Sequence, residues 1–310
     1  MIARSRWYIY QRERFPIIGN GALILAFASG AVCFSAQLRA TAADARGTVA
    51  LSALVVAFIS SLLFFFQLRV ADEHKDLAED TRWRPYRPVP RGLVTLRELR
   101  TLAIASMVVQ AVLAVMLSPR LVAVLLLVWG YMWLMAREFW AHDYLRARPV
   151  MILWTHMLVI PLIDLYATAC DWMTVSSAPS SFRIGLVWFL LASFFNGMVV
   201  EIGRKLRSPD DEEEGVETYT RVWGPSRAVG AWLVVMASTA VFAILAATHV
   251  QSTRVVAMVL SVVFVVACVA GFSLVSNPAR GRGKRLEAIA GVWTIALYLT
   301  VGVVPFLTRS

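Results

Sequence analysis

Acidic residues at helical spacing follow an apolar run in the stretch "DEHKDLAEDTRWRPYRPVPRG", residues 72–92. If the preceding helix continues, these carboxylates share one face, because three stand at i, i+4 and i+8 and a fourth lies beside them. They are Asp72, Glu73, Asp76 and Asp80. Mg²⁺ takes one or two carboxylates and fills its shell with water and phosphate oxygens. The pattern therefore predicts a Mg²⁺ site, with a solvated, charged helix end as the alternative.

A second stretch of similar composition, "EIGRKLRSPDDEEEGVETYTRVWG", covers residues 201–224. Of the 20 Asp and Glu residues in the chain, 12 lie in these two stretches, which also carry many bases. The bases are Arg82, Arg84, Arg87 and Arg91 in the first stretch and Arg204, Lys205 and Arg207 in the second. Carboxylates that hold Mg²⁺ beside cations that hold phosphate oxygens are the groups that a diphosphate site needs. We therefore expect both stretches to face one cavity, whereas the run 212–214 on its own is typical of a solvated loop.

The elements that must position these stretches are membrane spans. Of the 310 residues 59% are apolar and only 16% are charged, mean hydropathy is +0.66, and soluble domains are about 25% charged. Helical spans need about 20 apolar residues. Nine segments meet or approach this length: 17–38, 48–70, 101–118, 120–136, 149–170, 183–203, 226–249, 254–275 and 288–307. The sequence thus predicts an all-α polytopic bundle, and the lack of alternating strand patterns argues against a barrel.

The distribution of Lys and Arg predicts the orientation of these spans. With the N-terminus in the cytoplasm, 24 of the 30 Lys and Arg residues fall on the cytoplasmic side, as the positive-inside rule requires. Both acidic stretches then lie on that side of the cell membrane. The net charge of +10 reflects this topology and favours anionic lipid. Nucleic acid is a poor partner, because the charge is divided among short loops.

The first stretch resembles the first signature of the UbiA superfamily of intramembrane prenyltransferases, N-D-x-x-D-x-x-x-D followed by R-P-x-P-x-G. Here the order is Asp72-Glu73-x-x-Asp76-x-x-x-Asp80, then the run Arg87-Pro88-Val89-Pro90-Arg91-Gly92. The spacing fits without a gap. Asp72 stands where the family usually has Asn, and Glu73 where it usually has Asp, so both positions keep an oxygen ligand.

The second stretch resembles the second aspartate-rich loop of that family more loosely. Glu201 stands near the usual first Asp of a D-x-x-x-D pattern, and Lys205 occupies the partner position. Asp210 and Asp211 are candidates for the missing ligand. The glycine and threonine positions of the family's loop resemble Gly215, Thr218 or Thr220, and Gly224.

The resemblance implies one membrane-embedded domain over residues 1–310, with nine helices around a central cavity that binds Mg²⁺ and a prenyl diphosphate. The implied catalytic residues are Asp72, Glu73, Asp76, Asp80, Glu201 and Lys205. The implied metal ligands are Asp72, Glu73, Asp76, Glu201, Asp210 and Asp211. The implied diphosphate-binding residues are Arg84, Arg87, Arg137, Lys205 and Asn20. The expected reaction transfers an isoprenyl group to a lipophilic or aromatic acceptor.

Several alternatives stay open on the sequence alone. The altered ligands also suit a terpene cyclase of the same superfamily, in which the cation closes on its own chain. A cation-coupled transporter is a third possibility, although its acids would lie near the midplane. Within the fifth predicted span, His156 and Asp164 are ionisable and therefore functional candidates, although a hydrogen bond to a neighbouring helix explains His156 equally well. The cysteines, Cys33, Cys170 and Cys268, have no metal-ligand spacing and are expected to be packing residues.

Overall fold

The computed structural model describes residues 5–40, 48–174 and 180–308. Arg4, Arg46 and Arg309, which enter the charge count, lie outside these residues. The fold is all-α, as predicted, and the described residues contain no strand. The α-helices are α1 Arg6–Arg14, α2 Ile17–Arg39, α3 Leu51–Lys75, α4 Leu77–Trp83, α5 Leu96–Leu117, α6 Leu121–Ala136, α7 His142–Arg146, α8 Pro149–Met157, α9 Val159–Trp172, α10 Ser180–Arg204, α11 Tyr219–Trp223, α12 Pro225–Thr248, α13 Thr253–Ser276, α14 Arg282–Tyr298 and α15 Val304–Thr308.

Eight helical segments in the described part of the chain are long and apolar enough to cross a membrane. One of them joins α8 and α9 over Pro149–Trp172, and another runs from Arg282 through a π-helical segment, Leu299–Val303, to Thr308. The predicted fourth span, 120–136, forms the shorter α6 of 16 residues. At 1.5 Å per residue α6 is about 24 Å long, less than the roughly 30 Å hydrocarbon core. Eight segments therefore meet the length criterion, and α6 as a ninth, shorter span stays a prediction.

Helix α2 lies at the centre of the bundle, where it packs against α3, α9, α14 and the π-helical segment. A Cβ on Gly302 in the π-helical segment would collide with the backbone of Gly30 in α2, and a Cβ on Gly30 would collide with Tyr298 at the end of α14. Near the C-terminal ends of α2 and α9, Asp171 accepts hydrogen bonds from Arg39 (2.8 Å to Nε) and Ser35 (2.6 Å). These contacts fix α2 against its neighbours, and α3 and α10 carry the two acidic stretches at their C-terminal ends.

The intramembrane Asp164 belongs to the packed interior. It lies on α9, is fully buried, and accepts a hydrogen bond of 2.6 Å from the Tyr298 hydroxyl on α14. The same hydroxyl is 3.2 Å from Ser193 Oγ on α10. The three side chains connect three helices of the bundle.

Candidate active site

The first acidic stretch does not continue α3 as one straight helix. Helix α3 ends at Lys75 and α4 begins at Leu77, with Asp76 between them at φ −88° and ψ 1°. The Asp76 amide still donates to the Asp72 carbonyl at 2.8 Å. Asp72 and Asp76 therefore remain one helical turn apart, while the chain after Asp76 takes a new direction.

Two of the four predicted acids in this stretch are buried against arginines. The Glu73 side chain is 1% exposed and pairs with Arg14 Nε. The Asp80 side chain is 2% exposed and lies 2.8 Å from Arg84 and 2.7 Å from Arg87. Arg84 and Arg87, which the sequence assigns to the diphosphate, thus neutralise Asp80 and fix the turn that follows α4.

The other two acids are more accessible. The Asp72 side chain is 48% exposed and lies 3.3 Å from Arg69. Asp76 is partly buried and forms no ion pair with a described residue. Burial raises the pKa of Asp76, and the neighbouring carboxylates Asp72 and Asp80 raise it further. Carboxylates that repel one another in this way form a favourable place for a cation.

The second stretch begins at Glu201, near the C-terminus of α10. Arg204 Nε lies 2.6 Å from this carboxylate and Lys205 Nζ lies 2.9 Å from it. The Lys205 ammonium is also 5.6 Å from the centre of the Tyr219 ring. Two cationic side chains therefore pair with Glu201, and the end of α10 is locally positive.

The downstream acids hold the loop in place. Asp211 accepts a hydrogen bond of 2.6 Å from the Gly281 amide before α14. Glu212 accepts hydrogen bonds from Thr218 (2.6 Å) and Thr220 (3.0 Å). Asp210 is exposed. The predicted metal ligand Asp211 is thus bound to backbone, and Glu212, expected in a solvated loop, is partly buried.

The two stretches contact each other, and a shared cavity between them stays a prediction. A Cβ on Gly215, which has φ +73°, would collide with the Trp83 ring of α4. The Tyr86 hydroxyl lies 3.4 Å from Glu213 Oε2. Deeper in the bundle, the charges of Glu201 and Arg204 act on the Asp72 carboxylate. Acids from the end of α3 therefore face cations from the end of α10.

A third segment joins this cluster through Glu138, which the sequence did not single out as a site residue. Glu138, Phe139 and Trp140 have φ of 47°, 54° and 54°, a left-handed conformation that costs about 1–2 kcal/mol per non-glycine residue. The turn places Glu138 against Lys75 and His142. Burial acts to raise the pKa of Glu138, but these two partners outweigh burial and hold the pKa below its ordinary value.

Arg137 and His156, two of the remaining predicted residues, lie near this cluster. Arg137 is exposed beside Glu138, with its guanidinium 5.9 Å from the centre of the Trp133 ring. The charges of Lys75, Glu138 and Glu201 act on His156. The Nδ1 atom of His156 is 3.0 Å from the Ile152 carbonyl oxygen. Asn20 is partly buried in the first turn of α2.

The donor set suits Mg²⁺ only together with a phosphate ligand. Among the described residues, no group of three or more His, Cys, Asp or Glu side chains could hold a metal ion. Asp72 and Asp76 still provide two hard oxygen donors one turn apart. Since Mg²⁺ binds through one or two carboxylates plus substrate phosphates, the residues fit a metal that arrives with a diphosphate.

Comparison with known proteins identifies the family. The sequence model of the UbiA prenyltransferase family matches residues 31–295, so the chain belongs to this family, and membership implies prenyltransferase activity. The predicted resemblance is confirmed. No curated protein sequence matches the chain.

Solved structures share the fold. A UbiA homologue from Aeropyrum pernix K1 in its apo form is 16% identical with a TM-score of 0.65, covering 91% of this chain and 96% of its own. A structure described as digeranylgeranylglyceryl phosphate synthase is 12% identical with a TM-score of 0.59, covering 97% and 99%. A UbiA homologue from Archaeoglobus fulgidus bound to DMAPP and Mg²⁺ is 15% identical with a TM-score of 0.54, covering 94% and 98%. The chain is a multi-pass membrane protein with the UbiA fold.

Proposed function

We propose that the protein is a Mg²⁺-dependent prenyltransferase of the cell membrane that moves an isoprenyl group from a prenyl diphosphate to a lipophilic or aromatic acceptor. The observation that carries this proposal is the meeting of the acidic end of α3 with the basic end of α10. The Archaeoglobus fulgidus homologue bound to DMAPP and Mg²⁺ supports it. The N-terminus and both acidic stretches face the cytoplasm in this proposal, as the distribution of Lys and Arg indicates.

Each group has a defined part in the reaction. When bound, Mg²⁺ would neutralise charge on the diphosphate oxygens, and Asp72 and Asp76 are the residues that would hold it. The bond between the allylic carbon and the diphosphate oxygen breaks, and its electron pair leaves with the diphosphate. Lys205 and Arg204 stabilise that developing negative charge, since fixed cations at a leaving group lower the barrier. The acceptor then bonds to the allylic carbon and releases a proton.

The membrane setting contributes by keeping water away from the prenyl cation. The spans α3 and α10 that lead up to the charged site are apolar, and the substrate tail is equally apolar. A site closed to water protects the cation from hydrolysis. A neutral, lipid-soluble acceptor can reach such a site from the bilayer.

The test is to incubate purified protein with prenyl diphosphates of several chain lengths, Mg²⁺ and a panel of quinone-type, aromatic and lipid acceptors. Diphosphate release and extracted lipid products are measured together. Acceptor-dependent release with a prenylated product supports the transferase. Cyclic hydrocarbons formed without acceptor would identify the cyclase instead, and cation flux in proteoliposomes without diphosphate release would identify a transporter.

A further inference from the structure

The ion pair between Arg14 and Glu73 joins an N-terminal helix to the acidic motif. Arg14 ends α1, and its side chain is 11% exposed against 1% for Glu73. A buried carboxylate that holds an arginine is already neutralised and has little access to solvent. Arg14 also lies outside residues 31–295, which match the family.

Two further ion pairs hold helix α1, one to the first stretch and one to α5. Glu13 lies 3.2 Å from Arg91, and Arg6 lies 2.6 Å from Glu98 at the start of α5. A small apolar core lies beneath α1, separate from the main core of the bundle. It contains Tyr10, Val70, Val89, Val94 and Leu99, with Trp7 and Phe66 packed against it. The C-terminal end of α1 thus contacts the motif, and its N-terminal end contacts α5.

The two adjacent acids at the end of α3 point in different directions. Consecutive residues are about 100° apart around a helix. Glu73 pairs with Arg14 of α1, whereas the charges of Glu201 and Arg204 on α10 act on Asp72. Asp72 and Asp76 are one turn apart and therefore lie on the same side. The accessible carboxylate of the pair is Asp72, at 48% exposure.

The formal charges agree with this division. The family pattern has Asn then Asp here, with a formal charge of −1. This chain has Asp72 and Glu73, so the first departure adds one negative charge, and Arg14 beside Glu73 offsets it. The second departure, Glu73 in place of Asp, leaves the formal charge unchanged.

We propose that the ion pair with Arg14 keeps Glu73 out of the metal site. Asp72 and Asp76 are then the carboxylates of the first motif that bind the metal of a metal–diphosphate complex. Glu73 is then the anchor of α1 and a positioning residue. This inference rests on the proposed function.

The test measures Mn²⁺ binding by the loss of the free Mn²⁺ electron paramagnetic resonance signal, with detergent-purified protein and inorganic diphosphate. The central variant is the double substitution Arg14→Gln/Glu73→Gln, because it removes a carboxylate without changing net charge. We expect its Mn²⁺ affinity to stay within about twofold of wild type, whereas Asp72→Asn loses at least about tenfold, as for loss of metal-site groups. Glu79→Gln, an exposed acid on α4, is the matched control.

A tenfold loss in the double variant would make Glu73 a ligand and overturn the proposal, as would an unchanged affinity in Asp72→Asn. Thermal unfolding tests the anchor separately. Arg14→Gln and Glu73→Gln should each lower Tm by several degrees, and the double variant should lose less than the sum, since contacting residues are coupled. Additive losses would overturn the pairing. Wild-type protein that bound no Mn²⁺ in the presence of diphosphate would contradict the proposed function and the role of Asp72. If the Tm losses of the Arg14 and Glu73 variants were still non-additive, the role of Glu73 in holding α1 would stand alone.

Discussion

The two acidic stretches have similar compositions and opposite electrostatic roles. In the first, arginines neutralise Glu73 and Asp80, and Asp72 and Asp76 remain accessible to a cation. In the second, Glu201 is covered by Arg204 and Lys205. The end of α3 therefore presents negative charge to the site, and the end of α10 presents positive charge. A complex of Mg²⁺ with diphosphate, which carries both signs, complements that arrangement.

The difference also shows that acids in a motif need not all be ligands. Carboxylates in the second loop accept hydrogen bonds from the Gly281 amide and from threonines, and Asp80 holds the turn that contains the prolines. These acids fix loops and turns around the site. We therefore expect fewer metal ligands than there are acids in the two stretches.

The largest expected effect concerns topology, because the two stretches can act on one diphosphate only if both lie on the same side of the membrane. In a variant without native cysteines, single cysteines at positions 90 and 213 should react with a membrane-impermeant reagent only from the cytoplasmic side. The expected result is all-or-none labelling in right-side-out and inverted vesicles. Labelling of position 90 from the outer side would contradict the proposed orientation.

The next effect concerns the negative side of the site. Asp76→Ala should lower turnover by about 10²–10³-fold, the usual loss when one charge-stabilising group is removed, with the protein still folded. Chelation by EDTA should abolish turnover, and added Mg²⁺ should restore it. Diphosphate release gives the rate, and Glu79→Ala serves as the control. Full activity after either treatment would remove the metal-assisted mechanism.

Asp80→Asn separates a structural acid from a ligand. Removing one partner of a buried ion pair costs about 3–5 kcal/mol of unfolding free energy, and here Arg84 and Arg87 both lose their carboxylate. We expect a clear drop in the thermal unfolding temperature in detergent, with Mn²⁺ affinity retained in the folded fraction. A stable Asp80→Asn protein with lost Mn²⁺ binding would instead make Asp80 a ligand.

The smallest expected effect concerns the positive side. Lys205→Ala should weaken prenyl diphosphate binding about tenfold, as for loss of one charge-assisted hydrogen bond, and should slow ionisation. Lys205→Asp should recover part of the activity with a steeper dependence on Mg²⁺, since it restores a possible ligand. Rate is measured against Mg²⁺ concentration for wild type and both variants. Superimposable curves would leave Lys205 as a topological charge.

The sequence by itself determined the class of fold and the family. Long apolar runs can satisfy their backbone in lipid only as helices or closed barrels, and the absence of alternation left helices. The spacing of Asp72, Asp76 and Asp80 and the following proline-rich run are local features, so they indicated the family without knowledge of the fold. The bias in Lys and Arg is equally local and predicted on which side the motifs lie.

Only the tertiary structure decided which acids remain accessible. Arg14 and Glu73 are 59 residues apart, and no local pattern connects them, because their contact depends on how α1 folds back over α3. Arg14 looked like one more cytoplasmic base. The capture of Asp211 by the Gly281 amide and the pairing of Glu138 with Lys75 are likewise contacts between segments distant in the chain. Helical periodicity fixes which residues share a face, and the neighbouring helices fix what that face meets.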